Sequence, residues 1–430
     1  VNLQCRQQTC TGGGTTTLSG TVYAPNGTLP LYNVAVYVPN APLDPLPKGM
    51  SCDRCGTQAS GRPVASALSD PKGHFRIDNV PVGKDVPLVL QVGKWRRQVV
   101  VPEVRPCQDN VLSDPQLTRL PRNRREGDLP RVAITTGKCD PLSCTIAKLG
   151  VDPAEFGVAG QDTAFTFFDG DFGRSAALGP PGMKPAPLLW NDYDELKKYD
   201  MVAFSCLCTE VRVGAAADCT SDTCRDTPSY AAVTRYLDNG GRIFTSHFEY
   251  IWMQYSPDAR LAQAFNIHSV PNVPRPDGTP VVLDTSFPKG KALADWLQVI
   301  APALPYGRVP AKEIFWNLVG TPQSGQVWGS SATTPAGPAQ PRFVTINTPV
   351  AAPAAEQCGR IAHLDAHIVE AAGMTTPGVP GGGTPTESFP ANCGTTFSGA
   401  EGVMVFFLFD LAACVQNDTL PPVAPPPVIL

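Results

Sequence analysis

From residue 17 onward the chain alternates apolar and polar positions in short runs. LSGTVYAP and LYNVAVYVP flank the turn signal Asn26-Gly27-Thr28, and further β-branched runs follow the tetrad Asp70-Pro71-Lys72-Gly73 and the turn Pro81-Val82-Gly83. A period of two, broken at regular intervals by Gly, Pro, Asn and Asp, is the pattern of half-buried strands. About seven such strands over roughly a hundred residues predict an all-β sandwich spanning 17–117.

The pattern changes at Arg131. The apolar run 132–136 leads into the helical stretch PLSCTIAKLGV. LLWNDYDELKKYDMVAFSC adds a helix and a strand, and TPSYAAVTRYLDNGGRIFTSH adds another of each. Strand–helix alternation at these lengths predicts a flavodoxin-like parallel sheet with helices on both faces over 131–416. The fold class is therefore multidomain, an all-β sandwich plus α/β. Residues 269–345, rich in Pro, Gly, Ser and Thr, read as an insertion holding one helix, FPKGKALADWLQVI, before QCGRIAHLDAHIVEA and AEGVMVFFLFDLAACV resume the pattern. Residues 1–16 read as an extended leader, 118–130 as a basic solvated linker, and 417–430 as a Pro-rich tail that no central strand accommodates.

Composition narrows the class. The 430 residues include 46 Pro and 39 Gly, so loops are many and long helices few. Net charge is −4, with 16 Lys+Arg against 10 Asp+Glu in residues 1–131 and 18 against 28 in the rest. That asymmetry favours docking of front on back, or head-to-tail self-association, and is too weak a field for nucleic acid. Fourteen cysteines are the strongest signal: Cys5, Cys10, Cys52, Cys55, Cys107, Cys139, Cys144, Cys206, Cys208, Cys219, Cys224, Cys358, Cys393 and Cys414. An even number, many in loop contexts, predicts a disulfide framework in an oxidising compartment. With no 18-residue apolar run there is no expected membrane span. The opening VNLQC fits a signal peptide already removed, giving an extracellular or cell-surface protein.

GTVYAPNG, LYNVAVYV and DPKGHFRIDNVPVG resemble the carboxypeptidase regulatory-like (transthyretin-like) β-sandwich over about residues 17–107, which implies a structural or adhesive accessory. YDMVAFS, the helix leading into GGRIFTSH, and GRIAHLDAH resemble the class I glutamine-amidotransferase-like fold, in the layout of the trehalose-utilisation family. That second resemblance implies a nucleophilic cysteine at the elbow after GGRIF, where this chain carries Thr245-Ser246-His247-Phe248-Glu249. Trehalose-utilisation relatives likewise place histidine there, so the resemblance implies the fold without the thiol mechanism. The whole resembles exported myxobacterial proteins described only as carrying a carboxypeptidase regulatory-like domain.

Ligands of parallel α/β sheets sit at strand carboxyl ends. Three ends are legible: Cys206 after MVAFS, His247 and Glu249 after RIFTS, and the stretch His363 to His367. His247, Glu249, Asp365 and His367 are the candidate catalytic set. His363, Asp365 and His367, two apart on an extended strand, are the candidate ligands of a divalent metal, although no cofactor is the default expectation. Cys206 could pair with His247 or His367 as a nucleophile, but in a fourteen-cysteine chain it is expected in a disulfide, as are Cys208, Cys219 and Cys224. Ser246 beside His247 is no triad, because strand neighbours face opposite ways. Cys52-Asp53-Arg54-Cys55 reads as disulfide cysteines, KWRRQ (94–98) as an interface stretch, and Asn26 and Asn417 as incidental sequons. Two functional expectations follow. One is a secreted, disulfide-reinforced, non-catalytic structural or binding protein, self-assembling or engaged with cell-surface components. The other is a secreted hydrolase of carbohydrate or envelope-derived substrate.

Overall fold

In the computed structural model, the described residues are all but 1, 56–58, 138–139, 172, 174, 208–226, 268–279, 311–316, 334–337, 369–374, 377–378, 381–388, 391–392 and 428–430. The alternating front part forms seven strands: Thr17–Thr21 (β1), Ala35–Pro39 (β2), Pro63–Leu68 (β3), His74–Asp78 (β4), Gly83–Val92 (β5), Trp95–Val104 (β6) and Asp109–Leu112 (β7). They make two sheets, β4-β1-β7 and β3-β2-β5-β6. Leu18, Val36, Phe75, Ile77, Leu88 and Leu90 are buried between them, so the period-two pattern did become a two-sheet sandwich.

The back part carries Val132–Thr136 (β8), Phe156–Val158 (β9), Phe165–Asp169 (β10), Lys184–Pro185 (β11), Met201–Phe204 (β12) and Arg242–Ser246 (β13). These are followed by Asn266–Ile267 (β14), Pro280–Leu283 (β15), Arg308–Pro310 (β16), Leu318–Val319 (β17), Gln326–Ser331 (β18), Pro341–Thr348 (β19) and Gly359–Leu364 (β20). One large sheet runs β11-β10-β8-β12-β13-β20-β19-β18-β15-β16. Its half from β11 to β20 is parallel, and the five strands β10-β8-β12-β13-β20 stand in the 2-1-3-4-5 order of flavodoxin-like sheets. Beyond β20 every pairing is antiparallel. Residues 269–345 therefore do more than interrupt the alternation: β15, β16, β18 and β19 extend the sheet.

Both faces of the parallel half are covered. Val132, Ile134, Met201, Ala203, Phe244, Ala362 and Leu364 point into one core, and Ala133, Val202, Phe204, Ile243 and Ile361 into the other. The helix Thr227–Asp238 covers the second face with Tyr230, Val233, Tyr236 and Leu237. The helix Gly399–Ala412 lies on the first, buried on nearly every side. It is wedged between the two parts: Phe409 meets Trp95 of β6, and Phe406 stacks on Tyr32 at 5.7 Å. A single apolar core thus runs from the sandwich through this helix into the sheet.

Among the described residues four disulfides reinforce the chain: Cys10–Cys107, Cys52–Cys358, Cys55–Cys414 and Cys144–Cys393. The second and third tie the loop after β2 to the start of β20 and the end of the last helix, across 306 and 359 residues. Cys5 and Cys206, both expected in bridges, are free thiols. Cys139, Cys208, Cys219 and Cys224 lie outside the described residues. The basic stretch 118–130 is built into the molecule: Arg119 pairs with Glu126, and Arg124 with Glu155 and Asp162. KWRRQ is an interface: Lys94 pairs with Asp200, Trp95 packs on Phe165 and Phe409, and Arg96 pairs with Asp128. No helix among the described residues is long and apolar enough to cross a membrane.

Candidate functional site

Parallel register brings three distant segments to one place. Phe204 of β12 lies beside Thr245 of β13, and Thr245 lies beside His363 of β20. Two residues further along, just past the ends of β12, β13 and β20, the chain reaches Cys206, His247 and Asp365. Neighbouring strands are about 4.8 Å apart, so side chains at these ends touch.

Cys206 and His247 are fully buried, and His367 is partly buried. The Cys206 Sγ lies 3.2 Å from His247 Nδ1 and 3.9 Å from His367 Nε2. The two ring nitrogens are 3.0 Å apart, and the rings meet edge to face with centroids 4.4 Å apart. His247 sits where β13 turns into the 3-10 helix His247–Tyr250, with φ +45°. The turn at the end of β13 has no flanking glycines, and it presents an imidazole. Burial first, then the neighbouring His367 and His363, holds the His247 pKa well below its ordinary 6.5, so the ring is neutral at physiological pH.

The other candidates are held elsewhere. His363 is buried within β20, its Nδ1 2.9 Å from Thr245 Oγ1. Burial, helped by Arg342, pushes its pKa down to about 3. Asp365 Oδ2 accepts hydrogen bonds from Arg342 Nη1 at 2.5 Å and from the Leu318 amide at 3.0 Å. Burial raises that carboxyl to about 6 against the pull of Arg342, leaving it largely ionised at neutral pH. Glu249 Oε2 accepts from Trp252 Nε1 at 2.9 Å. Of the expected metal set His363, Asp365 and His367, only His367 enters the cluster, because β19 sets Arg342 against Asp365 and Thr245 engages His363. Of the expected catalytic set, His247 and His367 converge, whereas Glu249 and Asp365 are engaged by Trp252 and Arg342.

The third member of the cluster is Cys206. Its signal in the sequence was its place, two residues past an apolar strand next to the one that ends at His247. Asp140 has no such signal in the sequence. It is fully buried beyond β8, and both its carboxylate oxygens accept from the Ile368 amide, at 3.1 and 3.2 Å. That grip fixes the backbone immediately after His367. A thiol and two imidazoles, with donor atoms all within 4.8 Å of one another, can act chemically as a nucleophile with its base or as a set of soft metal ligands.

No protein-family model matches the chain, and no curated protein matches it. Solved structures similar to it include the cytoplasmic protein STM3548 from Salmonella typhimurium, 12% identical with a TM-score of 0.33 over 66% of this chain and 98% of that one. A putative ThuA-like protein from Bacteroides uniformis is also similar, 12% identical with a TM-score of 0.29 over 59% and 86%. A type II cohesin–X-dockerin complex from Acetivibrio cellulolyticus matches a smaller part, 18% identical with a TM-score of 0.18 over 29% of this chain and 78% of that one.

Proposed function

We propose that this is an exported, disulfide-braced binding protein. In this reading a transthyretin-like sandwich steadies an amidotransferase-like α/β part, whose ligand site is the cluster of Cys206, His247 and His367 at the strand carboxyl ends. One observation carries the reading: the elbow where such a fold sets its nucleophile holds a neutral, buried His247 turned onto Cys206 and His367. Hydrolysis by a histidine–carboxylate pair finds no support in the geometry, since Glu249 bonds Trp252 and Asp365 bonds Arg342. Self-association is no part of the reading. The leader is pinned to the sandwich by Arg6 and Gln7, and the Pro-rich tail accepts a hydrogen bond from Ser66 at Pro425.

A second reading, a thiol hydrolase, is favoured by the 3.2 Å contact of Cys206 Sγ with His247 Nδ1. Assays with γ-glutamyl anilides, aryl esters and aryl glycosides separate the two. Binding predicts that the wild-type protein turns over none of them faster than Cys206→Ser does. Turnover that disappears in Cys206→Ser would replace the first reading with the second.

A further inference from the structure

We infer that Cys206, His247 and His367 together hold one thiophilic divalent transition-metal ion of the zinc type, coordinated by Sγ, Nδ1 and Nε2 respectively. This rests on the reading of the cluster as a binding site and names its ligand class. In tetrahedral coordination with Zn–S of about 2.3 Å and Zn–N of about 2.05 Å, paired nitrogens stand about 3.3 Å apart and sulfur–nitrogen pairs about 3.5 Å apart. The cluster shows 3.0 Å between nitrogens, and 3.2 and 3.9 Å from sulfur to each. The triangle therefore needs shifts of only about 0.4 Å or less to close on an ion.

The donor chemistry agrees. One thiolate and two imidazoles suit zinc and its thiophilic neighbours, whereas calcium and magnesium call for oxygen ligands. The nearby carboxylates that would favour a hard cation, Glu249 and Asp365, are turned to Trp252 and Arg342. Two features fix the donors in place: the positive φ of His247 aims its ring back across the strand end, and Asp140 clamps the amide after His367. Among the described residues the group comprises three protein donors, of the four ligands that a zinc-type ion takes.

Binding is a balanced exchange. The Cys206 S–H bond breaks, its proton leaves to solvent, and a sulfur–metal bond forms, while the imidazoles bind as neutral donors. Metal-stripped protein titrated with Co(II) should show a thiolate-to-cobalt charge-transfer band that saturates near one equivalent, with about one proton released per ion. In Cys206→Ser the band should vanish. His247→Ala and His367→Ala should each weaken affinity by more than the roughly 100-fold that loss of an outer-shell partner brings. Zn(II) should bleach the cobalt spectrum and raise the thermal midpoint of the wild-type protein only.

Circular dichroism of each variant confirms folding, and His367→Ala, at the partly exposed member, is the variant least prone to a folding defect. A folded wild-type protein that develops no band, or a band that persists in Cys206→Ser, overturns the metal assignment and leaves the binding reading standing. Turnover by metal-free protein that depends on Cys206 overturns the binding reading itself.

Discussion

At His247 the backbone and the side chain pull in different directions. A φ of +45° places Cβ close to the following carbonyl, a conformation about 1–2 kcal/mol above the right-handed one for a residue with a Cβ. The imidazole is fully buried as well. Such a residue is kept by what its side chain does, as strained positions at functional sites commonly are. Glycine takes positive φ without that penalty, so His247→Gly should be more stable than His247→Ala by about 1 kcal/mol. Urea unfolding of the two variants measures this directly, and equal midpoints would mean the elbow is unstrained. His247 was legible because GGRIFTSH ends a strand in plain view. Cys206 is hidden in the sequence, because fourteen cysteines point to bridges everywhere. What rescues it is register, Phe204 beside Thr245, which is a property of two segments some forty residues apart and of neither alone. Asp140 had no local signal, since its partner is a backbone amide more than two hundred residues away.

Strand β20 shows how one element serves two purposes on its two faces. Arg360 points toward the last helix, where it bonds Asp410 at 2.7 Å and Asp418 at 2.7 Å, and Lys289 completes a buried group of two cations and two carboxylates. His363 points the other way, toward Thr245. Its folded pKa of about 3 lies below the ordinary 6.5. The unfolded chain therefore binds a proton that the folded chain refuses between those values, and stability is full above pH 6.5 and falls on acidification toward pH 3. Between pH 6.5 and 4.5 His363 alone should account for a loss of about 2 kcal/mol. His363→Asn should flatten the fall in urea midpoint over that window by that amount, and an unchanged slope would mean that the ring is protonated in the folded protein. Element type was readable wherever polarity alternated, as in HFRID. It was obscured in VMVFFLFDL, where an apolar run with no polar face fits a buried strand or a buried helix equally. The capping box of Ser398 and Glu401 decides for the helix. Residues 269–345 hid their strands because short pieces between Pro- and Gly-rich loops acquire β structure from pairing with a sheet that is already there.

On the scale of the whole molecule, sandwich and sheet share one apolar core, and the β5–β6 hairpin butts against the end of the last helix. Two ion pairs join the basic front to the acidic back, Lys94 with Asp200 and Arg124 with Glu155. At the hairpin tip Gly93 has φ +55°, and a Cβ there would lie 1.8 Å from the Ala412 carbonyl oxygen, a backbone atom that no rotamer change can move. Gly93→Ala must therefore lift the hairpin from the helix end, and with it loosen the Lys94–Asp200 pair and the seat of Trp95 on Phe409. Gly160 makes the internal comparison. Its φ is +96°, and nothing lies within 4 Å of its would-be Cβ, so Gly160→Ala bears backbone strain alone, about 1 kcal/mol. Gly93→Ala should lose about 3 kcal/mol or more, the range in which lost packing adds to strain. Its urea unfolding should also split into two steps as sandwich and sheet part company, while the wild-type protein and Gly160→Ala unfold in one. If Gly93→Ala matched Gly160→Ala in both midpoint and cooperativity, the hairpin contact would contribute nothing to joining the parts, leaving that role to the shared apolar core and to the disulfides Cys52–Cys358 and Cys55–Cys414.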